Sequence, residues 1–316
     1  MAADEGLVSD AALVVLDAEG VTEACRQTHP EWHQGRDFEA YAARVREALD
    51  RMGPAMRYVG LHDARGRLVA SARELSSELL WQGDRVPAMG IAAVFVRPDL
   101  RGRGIGRRLV RALTGDARAR GFRAAFLFSD IGPGYYVPHG FRACPAQDFC
   151  ADVADLAQDT SLAVRRACPD DLGMMLRWYH QSAACSPLTV WRTATWWRYF
   201  RWWREAEGDH VLCNGSADVG YLNVRLQGSC LYVYDWAAPG IDPSRVWGAV
   251  RARATDLGAK TVAGWLVPTR RQEWMKPLER SGALPMVGPL DDALVLPDLR
   301  AAAFEVTGVE AKPYSR

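Results

Sequence analysis

The first half of the chain switches between apolar residues at helical spacing and apolar runs of strand length. Helical spacing predicts helices over residues 21–25, residues 38–52 and the residues that follow Ile105. Apolar runs predict strands over residues 11–16, 56–61, 68–80, 90–96 and 124–128. A turn is expected at Asp63-Ala64-Arg65-Gly66, between two of these strands.

The same order of elements starts again in the second half. Strands are predicted over residues 161–166, 211–213, 219–224, 230–236, 261–266 and 293–296. Helices are predicted over residues 170–181, 191–205, 243–257 and 271–280. The repetition predicts an α/β fold of mixed sheets in two tandem domains, residues 1–157 and residues 158–316.

Composition and charge narrow the classes of partner. The 316 residues are 49% hydrophobic and 24% charged, which is typical of globular chains. Because 39 basic residues face 38 acidic ones, the net charge is +1, and no overall field attracts nucleic acid or an anionic membrane. We expect neither partner. The sequence leaves open whether the chain forms a homo-oligomer.

Cysteine use and the N-terminus predict a cytoplasmic protein without a metal. The seven cysteines are odd in number and scattered, and no C-x-x-C pair occurs, which favours a reducing compartment. The first residues are acidic and no run of about 18 apolar residues follows, so neither a leader nor a membrane span is expected. His29 and His33 are four residues apart, but Pro30 separates them and no further ligands cluster nearby.

The most informative stretch joins the strand over residues 90–96 to the helix that begins at Ile105. Its glycines and arginines are Arg101, Gly102, Arg103, Gly104, Gly106 and Arg107. The first amide N–H groups of a helix have no partner within the helix, and the helix dipole makes that end positive. The turn therefore predicts a cradle for a diphosphate.

The pattern Arg101-x-x-Gly104-x-Gly106 resembles the acetyl-CoA signature of the GNAT acyltransferase superfamily. A dinucleotide-binding fingerprint fits less well, because Arg107 stands where a third glycine is needed, and no Walker A motif occurs. The resemblance implies acetyl-CoA as cosubstrate. The residues that it implies as the cofactor site are Val94, Val96, Arg101, Gly102, Arg103, Gly104, Ile105, Gly106, Arg107 and Ser129.

A second segment supports the same resemblance. Tyr136 precedes Gly140-Phe141 at the spacing of the GNAT pattern Tyr-x-x-x-Gly-Phe, in which the tyrosine protonates the departing thiolate of CoA. The resemblance therefore implies Tyr136 as the catalytic acid. The alternative is a tyrosine that only packs in the core, and the insert Gly132-Pro133-Gly134 departs from the usual short helix.

The general base stays open. Many relatives use a glutamate on the cofactor strand, whereas this strand has Ile91, Ala92 and Ala93. Candidates are Glu74, Glu78, His139, a water chain and the terminal carboxylate of Arg316.

The second half looks like a degenerate copy. Its equivalent turn, Trp236 to Pro243, lacks the Arg-x-x-Gly-x-Gly pattern, and Asp242 would repel a diphosphate, so only the first half is expected to bind CoA. A tandem pair with one active copy resembles the enhanced-intracellular-survival type of acetyltransferase, which implies that the second domain helps to shape the acceptor pocket.

Tryptophans concentrate in the second half, which holds all of them except Trp32 and Trp81. Trp196, Phe200 and Trp203 share one face of a predicted helix, and we interpret this stripe as core or domain interface. The alternative is a wall of the acceptor pocket, where cation–π contacts could hold an amine.

We expect an N-acetyltransferase that acts on a small-molecule amine, such as an antibiotic, polyamine or amino acid. A protein or peptide acetyltransferase and a non-catalytic acyl-CoA sensor are the alternatives.

Overall fold

The structure of the chain is a computed structural model that describes residues 13–203, 208–266, 271–280 and 282–301. Within them the helices are α1 Ala18–Trp32, α2 Phe38–Met52, α3 Ile105–Ala119, α4 Leu172–Ala183, α5 Ala194–Trp203 and α6 Pro243–Asp256. The strands of the first half are β1 Leu13–Val15, β2 Met56–His62, β3 Leu68–Trp81, β4 Asp84–Val96, β5 Ala124–Ser129, β6 Arg142–Ala143 and β7 Gln147–Asp152. Those of the second half are β8 Ala163–Arg166, β9 Leu188–Trp191, β10 Asp209–Asn214, β11 Ala217–Gln227, β12 Cys230–Ala237, β13 Thr261–Leu266, β14 Lys276–Glu279 and β15 Leu284–Pro289.

Capping residues and apolar stripes explain the first helices. The Asp17 carboxylate accepts a hydrogen bond from Gly20 N at 2.9 Å, and Asp37 accepts one from Ala40 N at 2.8 Å. The predicted helix over residues 38–52 is confirmed as α2. Helix α1 is longer than predicted and continues through Pro30.

The first sheet has the order β1-β2-β3-β4-β5-β15-β6, and β9 pairs with β3. Helix α3 packs on one face of the sheet, where Leu109 and Leu113 meet Val59 and Leu127. Helices α1 and α2 cover part of the opposite face. The first half thus buries apolar residues on both sides of its sheet.

The second sheet has the order β14-β7-β13-β12-β11-β10-β8. Helix α6 packs on one face through Val246, Trp247 and Val250. Helices α4 and α5 pack on the other face, where Met175 and Trp197 belong to one apolar cluster. The predicted mixed α/β architecture is confirmed.

Three strands cross the boundary predicted at residue 157, and one of them is β9, which pairs with β3 of the first sheet. Strand β7 precedes that residue but pairs with β13 and β14 in the second sheet. Strand β15 follows it by more than a hundred residues in sequence but pairs with β5 and β6 in the first sheet. Each sheet is therefore completed by a strand from the other half, and the division into two domains stays a prediction.

Two predicted elements are wrong. The helix over residues 271–280 is replaced by the edge strand β14, where Pro277 lacks the N–H that an inner strand would need. The strand over residues 293–296 does not form. The Asp291 carboxylate instead accepts a hydrogen bond from Ala293 N at 2.9 Å, and Trp81 Nε1 donates to Val295 O at 2.8 Å.

The helix predicted over residues 191–205 begins later than expected. Trp191 ends β9, which pairs with β3, and α5 starts at Ala194. Residues 11 and 12 of the predicted first strand and residues 204 and 205 of this helix lie outside the described residues.

Candidate active site

A wedge opens in the first sheet between β4 and β5. The two strands are parallel neighbours from Ala88 opposite Ala124 to Ile91 opposite Leu127, and their pairing ends there. Beyond this point the register of β4 against β3 shifts, and Ala93 has φ 51°. A left-handed residue other than glycine is uncommon, and a β-bulge bends its strand. The bend turns β4 away from β5 beside the predicted cofactor residues Val94 and Val96.

The predicted cradle follows directly after this wedge. Gly104 is the N-cap of α3 with φ 79°, and Gly102 has φ 78°, so both adopt a backbone conformation that favours glycine. No side chain of this turn caps the helix. The N–H groups of the first turn, which includes Ile105 and Gly106, are thus left for an anion, which fits the diphosphate of an acyl-CoA.

The arginines of the turn differ in their contacts. Arg101 Nε donates to Val96 O at 3.1 Å, and its guanidinium also pairs with Glu31 of α1. Arg101 therefore ties the turn to the strand end and to α1. Arg103 and Arg107 are exposed beside the helix N-terminus. Their contact with a cofactor stays a prediction.

The two tyrosines of the following segment lie close to the cradle. Tyr136 is 6% exposed and packs against Phe141, with ring centroids 6.0 Å apart. Tyr135 is half-buried, and its hydroxyl lies so close to Gly106 that a Cβ atom there would overlap it. Burial raises the pKa of Tyr136 to about 12, so its hydroxyl stays protonated at neutral pH, as a proton donor requires.

Ser129 ends β5 at the other side of the wedge. It is buried, and its hydroxyl donates to Gly132 O at 2.8 Å. This bond fixes the start of the segment that carries Tyr136. The predicted contact of Ser129 with CoA stays a prediction.

The candidate general bases differ in their burial and in their ion-pair partners. Glu74 of β3 lies on the sheet face that packs against α3, and it is 1% exposed. Arg57 binds its carboxylate at 2.7 Å, and Arg120 contacts it as well. Glu78 pairs with Arg85. Burial lowers the pKa of His139, which lies beside Tyr135 near the cradle. Arg316 lies outside the described residues.

The second half lacks an open helix terminus at the equivalent turn. Asp242 is the N-cap of α6, and its carboxylate accepts a hydrogen bond from Ser244 N at 2.8 Å. This side chain places a negative charge where a diphosphate would bind. The contrast with Gly104 supports the expectation that only the first half binds CoA.

A cavity of about 140 Å³ lies on the sheet face opposite α3, beside the wedge. Its lining residues come from both halves of the chain: Met56, Arg73, Leu75, Gly90, Ile91, Ala92, Phe126, Leu127, Phe128, Val190, Trp196, Tyr199, Phe200 and Trp203. We call it the aromatic cavity. Because Ile91 and Ala92 also border the wedge, a molecule in the aromatic cavity lies next to the bent strand.

Helix α5 serves both roles that were weighed for its aromatic residues. Trp196, Phe200 and Trp203 line the aromatic cavity, whereas Trp197 packs in the second half against Tyr221, with ring centroids 5.0 Å apart. The helix is therefore an interface between the halves and also a wall of the cavity.

Sequence reasoning missed Arg73 as a lining residue. Arg73 lies opposite Ala92 at the bulge, within a strand that is otherwise mostly buried. The signal that could have identified it is a charged residue inside the apolar run over residues 68–80.

Neither a metal-binding cluster nor a membrane-spanning helix occurs in the part of the chain that the structure describes. No group of three or more His, Cys, Asp or Glu side chains there is arranged to hold a metal ion. Among the same residues, no helix has the length and apolar character needed to cross a membrane.

Comparison with protein families finds one match, over residues 23–144, to the model described as "Acetyltransferase (GNAT) domain". This stretch contains α2, the bulged strand β4, the cradle, α3 and Tyr136. No curated protein matches the chain in sequence.

Solved structures share the fold over most of the chain. A GCN5-related N-acetyltransferase from Kribbella flavida is 23% identical and has a TM-score of 0.72, with 89% of this chain and 72% of that chain covered. Eis1 from Mycobacterium abscessus is 17% identical with a TM-score of 0.63, over 89% and 74% of the two chains. N-myristoyltransferase of Saccharomyces cerevisiae, solved with bound myristoyl-CoA, is 10% identical with a TM-score of 0.58, over 95% and 90%. These likenesses show a common fold.

Proposed function

Because residues 23–144 match the model of the GNAT acetyltransferase domain, we propose that the chain transfers an acetyl group from acetyl-CoA to a small-molecule amine. The observation that carries this proposal is the wedge beside the uncapped N-terminus of α3. The wedge can accommodate a thioester, and the N-terminus of α3 can accommodate a diphosphate. One turn separates the end of β4 from the start of α3.

The aromatic cavity supports a small acceptor. Drug-sized ligands occupy pockets of roughly 300–1,000 Å³, and the volume of about 140 Å³ is well below that range. A peptide would need an open groove. Apart from Gly90 and Arg73, the cavity is lined by apolar and aromatic side chains from both halves of the chain, which favours one small molecule.

The residues of the site have distinct tasks in this mechanism. Acetyl-CoA supplies the activated acetyl group as a thioester. The N–H groups of the turn and of the first residues of α3 hold its diphosphate, and the bent backbone of β4 near Val94 and Val96 positions the acyl group. The acceptor amine approaches from the aromatic cavity. The amine nitrogen bonds to the acetyl carbonyl carbon as the carbon–sulfur bond breaks, and Tyr136 donates its hydroxyl proton to the sulfur that leaves. The proton that the amine nitrogen loses passes through solvent and restores the Tyr136 hydroxyl.

Replacing Tyr136 by phenylalanine tests the proposal. We expect Tyr136→Phe to reduce amine-dependent release of CoA by about tenfold or more, since a positioned acid contributes roughly 10²- to 10⁴-fold. Tyr135→Phe is the matched control, because that hydroxyl points to Gly106 of the cradle, and it should keep most of the rate. An unchanged rate in Tyr136→Phe would remove its assigned role. Stabilisation by acetyl-CoA without turnover of any amine would favour the acyl-CoA sensor.

A further inference from the structure

Arg73 is the one charged residue among the described residues that line the aromatic cavity. It comes from the inner strand β3 and lies opposite Ala92, at the point where β4 begins to bulge. Adjacent residues of a strand point to opposite faces. Glu74 accordingly faces α3 and its own arginine partners, while Arg73 faces α5.

Two side chains that line the cavity each carry a hydrogen-bond donor without an acceptor among the described residues. Arg73 Nε and Trp196 Nε1 are both buried, and neither has a hydrogen-bond partner among the residues that the structure describes. Buried donors are nearly always paired, because an unpaired one has lost its hydrogen bonds to water without replacing them. Two such donors on residues that line one cavity suit a ligand group that accepts several hydrogen bonds at once.

The charge around the cavity is positive. The guanidinium of Arg73 lies 5.6 Å from the ring centroid of Trp203, and that of Arg44 lies 5.0 Å from the same ring. No carboxylate belongs to the described lining of the cavity. A polyamine or another polycation would meet repulsion here, whereas a carboxylate would be attracted.

We propose that the acceptor is a small apolar amino acid whose carboxylate binds Arg73, with the indole N–H of Trp196 as a second donor. Arginine binds carboxylates in paired hydrogen bonds that are stronger than those between neutral groups. The aromatic walls cover the apolar part of the molecule, and a cavity of about 150 Å³ in another protein admits benzene, so one ring or branched side chain fits. This inference rests on the proposed function, because it names the acceptor of the same site.

The test compares free acids with their methyl esters. The probes are leucine, phenylalanine and 4-aminobenzoate, each with its methyl ester, assayed by CoA release from acetyl-CoA with the full chain. We expect at least one acid to be used with a kcat/KM at least tenfold above that of its ester. Arg73→Met should raise the KM for the acid about tenfold or more and leave the ester unchanged, and Arg73→Lys should restore part of the loss.

Arg44→Met is the matched control. Arg44 stacks on the same Trp203 ring but does not line the cavity, so it shares the packing role and lacks the proposed contact. An equal loss in Arg44→Met and Arg73→Met would overturn the inference. Equal use of acids and esters, or turnover of spermidine alone, would also overturn it while the proposed function stands.

If no amine is turned over, thermal unfolding distinguishes failure of the inference from failure of the proposed function. The free acids should stabilise the protein in the presence of acetyl-CoA, and Arg73→Met should abolish that shift while the shift caused by acetyl-CoA alone remains. Stabilisation by the acids without CoA release would contradict the proposed function only. No stabilisation by any acid would contradict the inference.

Discussion

Gly106 of the predicted cradle has no room for a side chain beside Tyr135. A Cβ atom on residue 106 would overlap the Tyr135 hydroxyl, and it would also lie 3.2 Å from Val96 Cγ2. The glycine therefore matters for the segment that carries both tyrosines as well as for the approach of a cofactor. The requirement comes from space and not from backbone conformation, because Gly106 is helical.

Gly106→Ala should destabilise the protein by about 1–3 kcal/mol, as expected of a side chain forced into a filled space. The double variant Gly106→Ala, Tyr135→Phe should regain most of this loss, because the next atom of the Tyr135 ring lies 3.4 Å from the new Cβ. Chemical unfolding of the two single variants and the double variant measures the coupling.

Gly115→Ala is the control for helix propensity. Gly115 lies in the same helix α3, and a Cβ atom there meets nothing within 4 Å, so alanine should stabilise by up to about 1 kcal/mol. If the changes in unfolding free energy caused by Gly106→Ala and Tyr135→Phe are additive, the two residues are not in steric conflict.

The equivalent strand-to-helix turns of the two halves differ in how the helix that follows is capped. Helix α3 begins at an uncapped glycine, while α6 begins at Asp242, whose carboxylate caps its own helix. Both turns contain a glycine in the left-handed region, Gly104 with φ 79° and Gly240 with φ 77°. The same substitution at the two glycines therefore compares the two turns.

Gly104→Glu should abolish the thermal stabilisation that acetyl-CoA gives, because a side chain with a negative charge would fill the cradle. Gly240→Glu imposes the same backbone strain and charge on the other turn, and it should retain the stabilisation. Each variant is compared with its own melting temperature without acetyl-CoA. Loss in both variants would mean that backbone strain, and not the cradle, decides binding.

Elements with a strong local pattern were predictable, and elements fixed by distant partners were not. Helix α2 was predicted with its bounds, because its apolar stripe is regular and Asp37 marks its start. Strand β15 was missed because Pro285 and Pro289 interrupt its apolar run, and only its pairing with β5 makes it a strand.

The candidate site divides in the same way. The cradle and Tyr136 follow from local spacing in the sequence. The aromatic cavity does not, because its residues come from β2, β3, β4, β5, β9 and α5, and no local pattern brings Arg73 next to Trp203. The stripe of Trp196, Phe200 and Trp203 predicted a buried face but not which surface it meets.

For the whole molecule, the exchange of β7 and β15 joins the halves more firmly than a linker would. Strand β5 pairs along its whole length, from Ala124 to Ser129, with β15. Strand β7 pairs along its length with β13. A cut at residue 157 would leave the first sheet without β9 and β15 and the second sheet without β7.

Residues 1–157 and residues 158–316, produced separately, should each fail to fold cooperatively, because open strand edges remain in both. Produced together, they should associate and regain stabilisation by acetyl-CoA. Circular dichroism and size-exclusion chromatography of the single and combined fragments measure this. A folded monomer of residues 1–157 that binds acetyl-CoA unaided would contradict the prediction.

The exchanged strands also set the order of events during synthesis on the ribosome. Chains emerge from the N-terminus, and domains generally fold as they appear. Here the sheet that carries the cradle waits for Leu284–Pro289, one of the last segments to leave the ribosome. The nascent chain thus exposes the edge of Ala124–Ser129 until that later segment appears, and the proposed acyl-CoA site matures only when the polypeptide is nearly complete.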